Sequence, residues 1–175
     1  DFLATLAPMI DFKNKLVPLI ETSRAIETVT QIAAFKDVVG LFFGAADASA
    51  SLGCKLAWEP LLYARQRVVL AASMFNLFTI DAPYFYIDKM AGLKEEAEKV
   101  KNLGFTGKAA IHPDQIDHIN EAFSPSAEEK EEAKKVLEEY QKSGGGAIKV
   151  DGQMIDEPIA EAMRLKITLG EEEKD

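Results

Sequence analysis

Short apolar runs alternate with amphipathic segments from the start of the chain to about residue 117. Continuous runs of Val, Ile, Leu and Phe are typical of strands that are buried on both faces, as in a parallel sheet. The pattern predicts strands over 16–20, 38–43, 78–80 and 105–111, and helices over 1–10, 23–35, 60–72 and 90–103. Regular alternation of this kind predicts an α/β fold with a parallel sheet.

The pattern changes after residue 117 and predicts a second part built mainly of helices. Helical spacing covers 117–123, 126–142 and 156–169, and the dipeptide Asp151-Gly152 favours a tight hairpin turn between two short strands. We therefore place a domain boundary between residues 117 and 118. Residues 118–175 form a helical extension, which we interpret as a lid.

The formal net charge of −9 argues against nucleic acid or an anionic membrane as the partner. The single cysteine, Cys54, excludes a disulfide within the chain and suits a reducing compartment. No signal peptide and no long apolar run is present, so we expect a cytoplasmic protein, or an organellar one after removal of a transit segment. The chain begins without Met, which we interpret as a fragment or a processed product.

Two carboxylates follow the first two predicted strands, Glu21 after the first and Asp47 shortly after the second. The carboxyl ends of parallel strands carry the chemistry in α/β folds, so we expect these side chains to converge. Two unpaired negative charges at one place favour a cation between them, and Mg²⁺ typically takes one or two carboxylates together with water and substrate. The alternative is that each carboxylate caps the helix that follows it.

Other residues near the predicted strand ends have simpler interpretations. The small residues of 45–53 predict a loop that a ligand can approach closely. Asp81 ends the third strand, where a capping or loop-fixing role is expected. For Arg65 and Arg67 we expect ion pairs with nearby acids, with phosphate binding as the alternative.

Seven segments together resemble one protein family. They are Leu19-Ile-Glu-Thr22, Gly44-Ala-Ala-Asp47, Leu61-Leu-Tyr-Ala-Arg65, Gly104-Phe-Thr-Gly-Lys108, Ile111-His-Pro-Asp-Gln-Ile116, Ala122-Phe-Ser-Pro-Ser126 and Asp151-Gly-Gln-Met-Ile-Asp156. In this order they resemble the citrate-lyase β-subunit-like branch of the HpcH/HpaI aldolase family, whose members include citryl-CoA, malyl-CoA and citramalyl-CoA lyases.

The resemblance implies a TIM-type (β/α)8 barrel with a C-terminal extension. This chain is similar to the last four βα units, residues 1–117, followed by the extension over 118–175. The first four units have no counterpart here, and in the family they carry a substrate-binding Arg and part of the coenzyme A pocket. One departure from the family pattern is Ala46, where relatives commonly carry an acid.

The resemblance also implies roles for individual residues. Glu21 and Asp47 match the family's Mg²⁺ ligands, and the backbone of Gly44, Ala45 and Asp47 matches the loop that holds a substrate carboxylate. The stretch Ile111-His112-Pro113 matches a segment near the pantetheine arm of coenzyme A, although a lone His at a strand end is more often structural.

Asp156 matches a general acid/base, which in oligomeric relatives reaches a neighbouring subunit's active site. The alternative role for Asp156 is the N-cap of the last helix, and the two roles are compatible.

The implied function is Mg²⁺-dependent carbon–carbon cleavage of a 3-hydroxyacyl-CoA, such as citryl-CoA, citramalyl-CoA or malyl-CoA, to a keto acid and an acyl-CoA. The family implies a homo-oligomer, a trimer or hexamer. Two alternatives stay open: a malyl-CoA thioesterase, and a non-catalytic truncated subunit or half-barrel remnant that acts as an assembly or binding partner. Because four βα units leave open sheet edges, the chain is expected to need another half-barrel or a second copy.

Overall fold

The computed structural model describes residues 15–144 and 146–169. They fall into two compact units, one that ends at Ile119 and one that begins at Asn120. The helix predicted over 1–10 lies outside the described residues. Within the described residues, no helix is both long and apolar enough to cross a membrane.

Four parallel strands form the sheet of the first unit, in the order β1-β2-β3-β4. They are β1 (Leu19–Ile20), β2 (Gly40–Phe43), β3 (Phe78–Asp81) and β4 (Gly107–Lys108). The intervening helices are α1 (Ser23–Glu27), α2 (Val29–Ala33), α3 (Ala45–Leu52), α4 (Trp58–Ser73) and α5 (Met90–Leu103). The predicted α/β fold with a parallel sheet is confirmed.

Four predicted elements differ from the structure. The strand predicted over 16–20 is limited to β1. The loop predicted over 45–53 is wrong, because this stretch is the helix α3; its alanines favour a helix, and Gly53 ends it in the left-handed region with φ 66°. The helix predicted over 23–35 is interrupted at Thr28, whose hydroxyl donates to the Arg24 carbonyl at 2.9 Å. The strand predicted over 105–111 is limited to β4.

Within the described part of the chain, helices cover one face of the sheet and the other face is partly exposed. Ile20, Leu41 and Phe43 point to the covered face and are fully buried under the helices. Leu19 and Phe78 occupy alternate positions on the other face and remain 46% and 40% exposed. Both faces are therefore apolar, which is typical of a sheet that is covered on both sides.

A cluster of charges is buried where β3 ends. Asp81 is fully buried and accepts from Arg65 Nε at 2.8 Å and from Lys108 Nζ at 2.9 Å. The same ammonium donates to Glu96 on α5 and to the carbonyl of Ala82, both at 2.7 Å. A buried carboxylate is tolerated only with such partners, so this cluster fixes β3, β4, α4 and α5 in one arrangement.

The two arginines of α4 differ in their contacts. The guanidinium of Arg65 pairs with Asp81, as expected, and lies between the rings of Phe43 at 5.2 Å and Trp58 at 4.8 Å. For Arg67 the predicted ion pair with an acidic side chain is wrong within the described residues. It donates instead to the backbone carbonyl of Glu27 at 2.8 Å.

The described part of the second unit contains the end of one helix, two further helices and a hairpin. Helix α6 (Ile116–Phe123) crosses the boundary between the units, and α7 (Ala127–Lys142), β5 (Ile148–Val150), β6 (Gln153–Ile155) and α8 (Glu157–Leu169) follow. Ser126 and Glu129 form a capping box at the start of α7. Asp151 and Gly152 both have positive φ, 46° and 90°, as a tight hairpin turn requires.

Replacement of Asp81 by Asn tests the buried cluster. Asp81→Asn leaves Arg65 and Lys108 without their buried counter-charge, and we expect a loss of about 3–5 kcal/mol in the free energy of unfolding. Urea unfolding followed by the fluorescence of Trp58, the single tryptophan, measures it.

The matched control is Glu95→Gln, which removes an exposed pair with Lys99 and is expected to cost less than about 1 kcal/mol. Equal losses for the two variants would contradict a special role for Asp81.

Candidate active site at the ends of β1 and β2

The ends of β1 and β2 bring Glu21 next to Gly44. Ile20 and Phe43 are aligned in the sheet, and the Gly44 amide donates to the Ile20 carbonyl at 3.0 Å. A Cβ atom built on Gly44 would lie 2.7 Å from Glu21 Cβ and 3.0 Å from Glu21 Oε2. The half-buried Glu21 side chain therefore lies directly over the Cα of Gly44, in space that only glycine leaves free.

Asp47 lies in the first turn of α3 and is exposed. Gly44 is the N-cap and has no side chain to offer, so the amides of 45–47 are the ones that helix geometry leaves without an intrahelical acceptor. These amides, together with the positive end of the helix dipole, favour an anion at this place. The small residues of the predicted loop thus form a helix start rather than a loop.

Neither carboxylate is a helix cap. Thr22 caps α1, with its hydroxyl accepting from the Ala25 amide at 3.1 Å, and Gly44 occupies the capping position of α3. The capping alternative for Glu21 and Asp47 is therefore wrong.

The donor set of Glu21 and Asp47 fits a hard divalent cation. Among residues 15–144 and 146–169, neither carboxylate has a hydrogen-bond or ion-pair partner. The same residues contain no group of three or more His, Cys, Asp and Glu side chains suited to a metal. A cation here would take two protein carboxylates and keep its remaining positions for water and substrate, which is the usual mode for Mg²⁺.

The loop after β4 is held by a buried glutamine. Gln115 is fully buried; its Oε1 accepts from the Ile111 amide at 3.0 Å and its Nε2 donates to the Tyr84 carbonyl at 2.9 Å. His112 Nδ1 accepts from the Asp114 amide at 3.3 Å and caps the 3₁₀ turn Pro113–Gln115. His112 therefore has the structural role expected of a lone strand-end histidine, and Ile111 is left 49% exposed.

The loop after β3 carries aromatic side chains close to the hydrogen bonds of Gln115. The rings of Tyr84 and Tyr86 lie 5.5 Å apart, and Lys89 Nζ lies 4.7 Å from the centroid of the Tyr86 ring. Burial, with smaller contributions from Glu96, Tyr86 and Glu95, raises the pKa of Tyr84 above its usual value. The Tyr84 phenol therefore keeps its proton at neutral pH.

Asp156 lies in the second unit and starts α8. Its Oδ1 accepts from the Ile159 amide at 3.3 Å, and its carbonyl accepts from the Ala160 amide at 2.9 Å. The side chain is half-buried. Asp156 is therefore the N-cap of this helix, one of the two roles expected for it.

Sequence reasoning missed two polar residues that organise these loops. One is Gln115, which the segment Ile111–Ile116 contained without any sign that its side chain is buried. The other is Ser51, which accepts a hydrogen bond from the Ser23 amide at 2.9 Å. A polar residue gives no periodic signal, so only its contacts distinguish it.

Comparison with known proteins identifies the family. The family model described as HpcH/HpaI aldolase/citrate lyase matches residues 11–113. The chain belongs to this family. It is 36% identical over 170 residues to the mitochondrial citramalyl-CoA lyase of Homo sapiens, and the match covers 88% of this chain and 49% of that protein. It is 33% identical over 158 residues to the citrate lyase subunit beta of Haemophilus influenzae, covering 87% of this chain and 54% of the relative.

Solved structures of family members agree with the fold. The protein CitE of Mycobacterium tuberculosis, in complex with magnesium, acetoacetate and coenzyme A, matches with a TM-score of 0.82 and 31% identity over 91% of this chain and 62% of that one. RipC of Yersinia pestis matches with a TM-score of 0.69 and 42% identity over 73% of this chain and 60% of that one. The chain thus spans about half the length of the relatives it matches.

The Gly44 contact predicts the effect of one added methyl group. Gly44→Ala forces the Glu21 side chain to move, and we expect a loss of about 1–3 kcal/mol in the free energy of unfolding. Gly107→Ala is the control, because a Cβ there meets nothing within 4 Å, and a change below about 1 kcal/mol is expected. Urea titration measures both; a Gly44→Ala variant as stable as the control would show that Glu21 is not held against Gly44.

Proposed function

We propose that the chain is the catalytic half of a Mg²⁺-dependent carbon–carbon lyase that cleaves a 3-hydroxyacyl-CoA to a keto acid and an acyl-CoA. The observation that carries the proposal is the set of two carboxylates, Glu21 and Asp47, that have no partner in the described part of the chain and lie near the first amides of α3. The family supports the reaction class, because similar proteins are named citramalyl-CoA lyase and citrate lyase subunit beta. A solved relative that binds magnesium, acetoacetate and coenzyme A supports the ligands.

The four βα units are proposed to be the second half of an eight-stranded barrel. Two observations support this: the relatives are about twice as long as the matched region, and the open sheet face exposes Leu19 and Phe78. We expect the complete enzyme to be a homo-oligomer. The first half-barrel would cover the open face and complete the substrate pocket.

In the proposed mechanism, Glu21 and Asp47 would hold the cation. The chemistry that Mg²⁺ supplies when bound is polarisation of the substrate's hydroxyl and carbonyl oxygens. The amides of 45–47 donate to a substrate carboxylate at the positive end of α3. These residues therefore orient the keto-acid part of the substrate.

Cleavage removes the proton of the 3-hydroxyl group and breaks the bond between C2 and C3. The electron pair stays on C2 of the acyl-CoA product, which must then take up a proton. We propose that Asp156 of a neighbouring copy takes up the hydroxyl proton and returns it to C2 in the cleavage direction. In the condensation direction it removes the C2 proton and gives it to the new hydroxyl oxygen. The segment Ile111-His112-Pro113, held by Gln115, is proposed to lie along the pantetheine arm.

Amide variants of the two carboxylates test the metal site. We expect Glu21→Gln and Asp47→Asn each to weaken Mg²⁺ binding at least tenfold and to remove turnover, since each replaces a charged ligand by a neutral one. Isothermal titration of the purified chain with MgCl₂ measures the affinity. Glu27→Gln is the control, because Glu27 is an exposed glutamate at the far end of the helix α1 that follows Glu21.

The products separate this function from its alternatives. A lyase converts citramalyl-CoA, citryl-CoA or malyl-CoA to a keto acid while the thioester persists, and EDTA stops it. A thioesterase releases one free thiol per substrate, which a thiol reagent detects. Absence of turnover combined with absence of Mg²⁺ binding would overturn the proposal and leave the non-catalytic subunit.

Two variants of Asp156 distinguish its role as N-cap of α8 from its proposed role as general acid/base. Asn is as good an N-cap as Asp, so Asp156→Asn is expected to keep the stability of α8 and to lower turnover by roughly 100-fold or more. Asp156→Ala is expected to lose turnover and in addition about 1 kcal/mol of stability. Rate assays and urea titration measure the two effects; full turnover in Asp156→Asn would restrict Asp156 to the cap.

A further inference from the structure

A hydrogen bond between two serines joins the segments that carry the proposed metal ligands. Ser51, near the end of α3, accepts from the Ser23 amide at 2.9 Å, and its hydroxyl lies 3.3 Å from Ser23 Oγ. Ser23 starts α1, just after Glu21, and Ser51 lies one helical turn beyond Asp47 on the same side of α3. The contact therefore spans from the Glu21 segment to the Asp47 helix.

This bond holds the chain on the C-terminal side of Glu21, while another holds it on the N-terminal side. On the N-terminal side, the Gly44 amide donates to the Ile20 carbonyl and holds the end of β1. On the C-terminal side, the Ser23 amide is one of the first amides of α1, which have no intrahelical acceptor, and Ser51 supplies one. Glu21 lies between these two anchor points, and both anchors are on the β2–α3 segment.

Stability alone gives little reason for the bond. Both serines are exposed, and water can replace an exposed hydrogen bond at a cost of only about 0.5–1.5 kcal/mol. Its position matters more, because two carboxylates without a cation repel each other and this bond joins the segment that carries Glu21 to the helix that carries Asp47. A pre-formed pair lowers the cost of ordering the ligands at binding.

We propose that Ser51 is a positioning residue that sets the spacing of the Glu21 and Asp47 carboxylates for Mg²⁺. The inference rests on the proposed function, since it requires the metal site. Mg²⁺ demands near-ideal octahedral geometry, whereas Ca²⁺ accepts longer bonds and variable geometry. Loss of the Ser51–Ser23 hydrogen bond therefore weakens Mg²⁺ binding more than Ca²⁺ binding. A change in the ratio of the two affinities is a signature that general destabilisation does not produce.

The test measures Mg²⁺ and Ca²⁺ affinities of the purified chain by isothermal titration with each chloride salt. For Ser51→Ala we expect roughly tenfold weaker Mg²⁺ binding, as for other residues that orient ligands, and a change below about threefold for Ca²⁺. Ser51→Thr keeps the hydroxyl and is expected to restore the Mg²⁺ affinity. Ser73→Ala is the control, because Ser73 is also exposed near a helix end and donates only to the Leu70 carbonyl of its own helix.

Hydrogen exchange in EDTA tests the bond itself without any metal. The Ser23 amide is expected to exchange faster in Ser51→Ala than in the unmodified chain and in Ser73→Ala. Three results would each contradict the role of Ser51 while leaving the proposed metal site intact: unchanged exchange of the Ser23 amide, unchanged affinity for Mg²⁺, or an equal loss of affinity for Mg²⁺ and Ca²⁺. Failure of the unmodified chain to bind Mg²⁺ would contradict both the proposed metal site and the role of Ser51.

Discussion

The first unit depends on the burial of one carboxylate. Asp81 has no contact with water, so its charge is tolerated only because Arg65 and Lys108 reach it from different elements. Lys108 also extends the network to Glu96 on α5. The guanidinium of Arg65 lies against Phe43, the last residue of β2, and thereby supports the strand end that places Gly44 under Glu21. An electrostatic requirement inside the unit thus fixes the geometry at its edge.

The sequence predicted the parallel sheet because apolar runs and helical periodicity alternate without interruption. It failed over 45–53, where a run of small residues lacks the apolar stripe that identifies a helix, yet alanine is a strong helix former. It also predicted too long a strand over 105–111, because apolar residues do not reveal that the Ile111 amide turns to meet Gln115. Periodicity reports burial, and these two segments are organised by backbone hydrogen bonds instead.

For the site, the order of strands in a parallel sheet was enough to predict that Glu21 lies at the same edge of the sheet as the segment that follows β2. The identity of the caps was not predictable, since Thr22 and Gly44 compete with the carboxylates for the same role and only the contacts decide. Likewise, an ion pair for Arg65 was expected from composition, but its partner lies sixteen residues away in a different element. The local sequence predicts the type of interaction that a residue makes. A partner that is distant along the chain can be identified only from the tertiary structure.

The open face of the sheet has a consequence for the biosynthesis of this chain. Leu19 and Phe78 are 46% and 40% exposed on strands whose other side is packed against helices. Exposed apolar surface on a sheet is the feature that chaperones bind and that promotes aggregation of incomplete folds. Production of this region in a cell is therefore expected to be limited by its recognition by the quality-control machinery until that face is covered.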